Sequence, residues 1–143
     1  MRNIQIIRLA AAAALCIGSA ATFAQVAVVV GPKSPVTTMT ADQVSGIFLG
    51  KSNTLPTGGT AVPTDLPDSM PAREIFYTKV TGKSTAQVKA AWSRLVFSGK
   101  ATPPKELGSS AEVKKFVAAN PDAIGYIEKS AVDASVKVVF SAD

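Results

Sequence analysis

The chain has 143 residues, 47% of them hydrophobic, and carries a net charge of +5 with no histidine and a single cysteine. Without histidine there can be no Ser-His-Asp triad, no histidine zinc site and no imidazole proton shuttle. The basic residues are scattered, with Lys114-Lys115 the only adjacent pair, and aromatic residues are sparse, so no nucleic-acid stripe with stacking platforms is indicated.

Positions 1–24 read as an export signal: Arg2 and Arg8 give a positive start, Leu9 to Ile17 an apolar core, and Thr22-Phe-Ala24 a small-residue cleavage site before Gln25. Cys16 falls inside this segment, with Leu15 rather than a small residue before it, which argues against a lipid anchor. Removing Arg2 and Arg8 takes the charge to +3. No later segment approaches the ~18–20 apolar residues of a membrane span. The expected product is one domain over 25–143, periplasmic or secreted, held by a core rather than by disulfides.

The domain opens with Val26-Ala-Val-Val-Val30, a continuous apolar run suited to a strand covered on both faces. Gly31-Pro32 ends it, and Pro35 keeps the next segment extended. Thr40-x-x-Gln43 predicts a capping box ahead of a helix that presents Val44, Ile47 and Phe48 on one face and stops at Gly50. Positions 51–59, rich in Ser, Asn, Thr, Pro and Gly, read as a loop, and 60–64 as a short strand that Pro63 confines to an edge or an end of the sheet. Asp68 or Ser69 is the expected cap of a second helix with Pro71 in its first turn, running through Ile75, Phe76 and Val80 to Gly82.

Ser84-x-x-Gln87 opens a third helix with an apolar face of Val88, Ala91, Trp92, Leu95 and Val96 running into Phe97. A second loop spans 101–108, around Pro103-Pro104. Ser109-x-x-Glu112 caps a fourth helix with Val113, Phe116 and Val117 inward, which Asn120-Pro121 stops. Strands over 123–127 and 136–140 complete the chain, with Gly125 permitting close approach in the first. Alternating strands and helices predict an α/β sandwich with helices packed on a mixed, mainly parallel sheet.

Two separated stretches carry a family resemblance: Ala41-Asp-Gln-Val-Ser-Gly-Ile-Phe-Leu-Gly-Lys51 and Asn120-Pro-Asp-Ala-Ile-Gly-Tyr-Ile127. Together they resemble the second lobe of periplasmic phosphate-binding proteins, the substrate-binding receptors of phosphate ABC transporters. The resemblance runs in order from about Val26 to the C-terminus and implies a single-lobe periplasmic-binding-protein-like domain. It implies transport rather than catalysis, and binding of phosphate or another small oxyanion, weakly or in a cleft completed by a partner. The alternative is a non-catalytic interaction or structural module that has lost its ligand.

Where the family places an arginine, then Ser-Gly-Thr at a helix start, this chain reads Asp65 and then Ser69-Met-Pro71. The resemblance leaves Ser69 as a ligand candidate, with Arg73 able to swing back to the helix start; a surface position beside Glu74 is the plainer expectation for Arg73. Ser34, Thr37 and Thr38 are hydroxyl candidates on the approach to the first helix, or ordinary loop and cap residues. Asp65 and Asp68 read as turn and capping residues, and Trp92, Phe97 and Tyr126 as packing, with the Tyr126 hydroxyl on a buried partner. No cofactor and no metal site is expected. A transporter, a sensor or a second copy of the chain is the partner the reading allows.

Overall fold

A computed structural model describes residues 25–143, so the expected export signal and Cys16 lie outside the described residues. In chain order the elements are β1 (Val26–Val30), α1 (Ala41–Phe48), β2 (Val62–Asp65) and α2 (Pro71–Phe76), which runs into a π turn (Tyr77–Thr81). Then come α3 (Thr85–Phe97), β3 (Lys105–Glu106), α4 (Ser110–Ala119), β4 (Ala123–Glu128), a 3-10 turn (Lys129–Ala131) and β5 (Lys137–Ala142). The five strands form one sheet in the order β3-β2-β4-β1-β5. β2 pairs in parallel with β3 and β4, whereas β1 is antiparallel to both β4 and β5. Four strands therefore share one direction and β1 alone is reversed, which makes the sheet mixed and mainly parallel in orientation.

Alternation along β4 shows what covers each face of the sheet. Gly125 points at α4, where a Cβ would sit 2.5 Å from Val113 Cγ1. Tyr126 points the other way, with its ring 5.9 Å from that of Phe48 on α1 and stacked 4.1 Å from that of Phe76 on α2. Helices on both faces explain why every residue of β1 is buried, and why an all-apolar strand costs nothing in exposed surface here. Trp92 on α3 ties that helix to the end of α1, its indole N–H donating to the Phe48 carbonyl at 2.8 Å.

The two Thr/Ser-x-x-Gln capping boxes form as expected. Thr40 Oγ1 accepts from Gln43 N–H at 3.2 Å while Gln43 accepts from Thr40 N–H at 2.9 Å, and Ser84 and Gln87 make the same reciprocal pair. Ser109 Oγ accepts from Glu112 N–H, but the Glu112 carboxylate turns to Gly108 N–H instead of closing the box. Gly31 carries the tightest backbone approach: a Cβ there would lie 2.0 Å from the Val117 carbonyl oxygen of α4. Gly31→Ala should therefore push α4 off the end of β1 and cost about 1–3 kcal/mol, read as a lower urea midpoint.

Several expectations are corrected. Met70, not Asp68 or Ser69, is the N-cap of α2, and it offers no side-chain hydrogen bond; Pro71 at the first position needs no partner for an N–H it lacks. The segment read as a loop over 101–108 contains β3, whose two residues pair with Thr64 and Asp65. Pro63 is thus in the second strand from the edge, tolerated because β3 begins to pair only after it. The apolar face of α3 ends early: Val88 and Trp92 are buried, but Val96 is 49% and Phe97 97% exposed, so Phe97 is not a packing residue.

Candidate functional site

The chemistry-bearing groups converge at the C-terminal end of β2, where the strand delivers Asp65 into the interior at 6% exposure. Its carboxylate accepts from Leu66 N–H at 2.9 Å and from Tyr77 Oη–H at 2.8 Å, and Tyr126 Oη–H donates to it as well. The Arg73 guanidinium closes the arrangement: Nη2 is 3.7 Å from Asp65 Oδ2, while Nη1 donates to the Leu66 carbonyl at 2.9 Å. Arg73 Nε is buried with no hydrogen-bond partner, its ionic neighbour being Asp68 Oδ1 at 3.4 Å. Lys89 pairs with the outer side of Asp68 and holds that carboxyl below its usual range.

Each member arrives by a different local route. Tyr126 comes from the middle of β4, on the face opposite Gly125. Tyr77 comes from the first position of the π turn that continues α2, one turn after Arg73. Phe76 packs on both tyrosine rings and Phe48 on that of Tyr126, edge-on or stacked at centroid distances of 4.1–5.9 Å. Burial, then the Asp65 charge, then the hydrogen bond to Asp65 push both tyrosine hydroxyls well above their ordinary pKa of 10.0.

This geometry corrects two expectations. Arg73 is no surface residue but is 8% exposed and committed to Asp65 and the Leu66 carbonyl. Asp65 does not cap a turn; it is a buried acceptor satisfied by backbone, hydroxyl and guanidinium donors. The buried partner expected for Tyr126 is Asp65 itself. Tyr77 was not legible as a site residue, the only hint being that the chain has two tyrosines and both sit beside apolar runs.

The five hydroxyl and arginine candidates fall into two groups. Ser69 and Arg73 flank the end of β2, Ser69 exposed and Arg73 buried. Ser34 lies at the opposite flank, its carbonyl accepting from Lys137 Nζ at the start of β5 and its hydroxyl accepting from Val36 N–H at 3.2 Å. Thr37 and Thr38 are exposed on the segment that runs beside β5, where Met39 N–H donates to the Val139 carbonyl. Strands β4 and β1 separate the two groups. The start of α2 is also a poor anion seat: Pro71 has no N–H, and Met70 and Arg73 N–H groups already donate to the Pro67 and Met70 carbonyls.

A sheet covered on both faces, with one reversed strand and a polar cluster at the ends of its parallel strands, defines an α/β lobe of the periplasmic-binding-protein type. No family model and no curated protein matches the chain. Solved structures do. A putative phosphate ABC transporter substrate-binding protein with bound phosphate from Clostridium perfringens aligns at TM-score 0.65 and 25% identity, over 81% of this chain and 45% of that one. An ABC-type phosphate transport receptor from Vibrio cholerae aligns at 0.63 and 23% over 81% and 46%, and a possible phosphate binding protein from Planctomyces limnophilus at 0.59 and 14% over 81% and 41%. The chain has the fold of phosphate ABC transporter substrate-binding proteins and spans less than half the length of each of these three.

Proposed function

We propose that the chain is an exported, periplasmic or secreted, non-catalytic binding module of the phosphate-receptor type, with the signal at 1–24 removed. By itself it holds phosphate or another small oxyanion only weakly, and a partner or second lobe supplies the rest of the cleft. The observation that carries this reading is the occupation of Arg73: the guanidinium best placed to meet an oxyanion is already spent on Asp65 and the Leu66 carbonyl. What remains at that end is the exposed Ser69 hydroxyl and the buried Arg73 Nε–H, which has no hydrogen-bond partner. A single neutral hydrogen bond contributes about 0.5–1.5 kcal/mol, whereas micromolar affinity needs about 8. Among the described residues no helix is long and apolar enough to cross a membrane, which fits a mature chain that does not span one.

Calorimetric titration of the mature protein with phosphate and with sulfate tests the reading. The expected result is binding in the millimolar range or weaker, and micromolar affinity for phosphate would overturn it. The second reading, an interaction module without a ligand, is favoured by the same buried carboxylate, which already fills the donor set an external anion would use. It predicts no heat with either anion.

A further inference from the structure

A cavity of about 550 Å³ opens at the other end of β2 from Asp65, bounded by the end of α1, Thr60 and Pro63, and the turn that follows α3. That volume lies in the range of small-ligand sites. Ile47, Ala61 and the Trp92 indole give it an apolar floor. Its polar wall holds Lys51, Asn53, Thr60, Lys100 and Thr102, and no carboxylate lines it.

The two lysines are drawn to the same place by backbone packing. Gly50, at φ +75°, lacks the Cβ that would collide with the Leu95 and Trp92 side chains, so the residue before Lys51 lies against α3. Lys100 N–H donates to the Leu95 carbonyl at 3.0 Å. Both chains therefore leave from the neighbourhood of Leu95. Their ordinary duty would be to satisfy carbonyls at a helix C-terminus. Those carbonyls are already taken: Gly46 by Lys51 and Ser52 N–H, Phe48 by the indole of Trp92, Arg94 by Ser98 N–H, and Leu95 by Lys100 N–H. Neither lysine ammonium has an ion pair or a hydrogen bond among the described residues. The Asn53 side chain uses its carbonyl oxygen to accept from Thr54, which leaves its N–H donors for a ligand.

We propose that this cavity binds a small anionic polyol of the sugar phosphate class. The phosphate is met by the Lys51 and Lys100 ammonium groups, the hydroxyls by Thr60, Thr102 and Asn53, and the apolar face of the ring by Ile47 and Trp92. This site is separate from the Asp65 end, and its failure would leave the reading of that end untouched.

Trp92 is the only tryptophan of the chain and lines both this cavity and another, of about 590 Å³, that reaches Asp65 and Arg73, so its intrinsic fluorescence reports on either and the lysine variants tell them apart. The probes are glucose 6-phosphate, glucose and inorganic phosphate, titrated into the mature protein and its Lys51→Gln and Lys100→Gln variants. Both lysines are exposed, so the variants should fold. Glucose 6-phosphate is expected to give a saturable change at or below ~1 mM, with glucose and phosphate each about ten-fold weaker or more. Each lysine variant should weaken it by about ten-fold. No response to glucose 6-phosphate overturns the proposal. So does a response that survives when Lys51→Gln and Lys100→Gln are combined, which places the ligand in the cavity beside Asp65 and Arg73, or equal affinity for inorganic phosphate, which removes the polyol from the assignment.

Discussion

Asp65→Ala should destabilise the lobe by about 3–5 kcal/mol in urea unfolding, the largest single-residue effect expected in the chain. Removing the carboxylate leaves Tyr77 and Tyr126 hydroxyls without their acceptor and the Arg73 guanidinium without its inner charge, in residues that are all buried. Arg73→Met should cost less, because Asp65 would keep both tyrosine donors and Leu66 N–H. The pair should also be strongly non-additive, since the double variant leaves no unpaired charge behind. If the seat beside Arg73 is an anion seat filled from within, added formate should recover part of the stability of Asp65→Ala, the gain growing with the logarithm of concentration. A loss below about 1 kcal/mol would mean that the cluster is incidental to the fold.

Alkaline pH should act on the same cluster and nearly as strongly. Both tyrosine pKa values are raised in the folded state, so folded protein keeps two phenolic protons that unfolded chain releases above 10.0. The unfolded state then binds fewer protons, and stability falls as pH rises. The contribution is complete below pH 10.0 and declines above it by about 1.4 kcal/mol per pH unit for each tyrosine. The chain has no other tyrosine, so absorbance of the phenolate can be read without background from further rings. The expected trace is flat through pH 10 and then rises in one step together with loss of helical signal. Gradual ionisation near the ordinary value with the fold intact would contradict the buried arrangement.

What the sequence disclosed, and what it withheld, divides along the range of the interactions. Thr40-x-x-Gln43 and Ser84-x-x-Gln87 are complete within four residues, and both form the reciprocal bonds their pattern demands. The five-residue apolar run of β1 likewise needs only its composition to announce a doubly covered strand. Asp65 is different: its donors sit 12 and 61 positions away, so a proline-flanked aspartate is read as a turn residue until β2, α2 and β4 are assembled. Arg73 follows from it, because an arginine one turn into a helix goes inward only if something buried waits for it. At Phe97 the helical period continues while the packing beneath it does not, and period alone carries no record of where the supporting layer stops. The chemistry of each hydroxyl is legible singly, but only topology sets Ser34, Thr37 and Thr38 on the flank away from Ser69 and Arg73.

The reversed strand also governs when the molecule can become itself. Among the described residues β1 is the first element, yet its neighbours on both sides are the last two strands, with Val26 beside Glu128 and Ala142. Until those late strands are available, the opening Val-rich ribbon has nothing to zip against, and the loop that must close is nearly the whole domain. Such wiring makes the sheet close late: until residues 123–142 are present β1 stays a single ribbon, and both of its seams are stitched by strands far downstream.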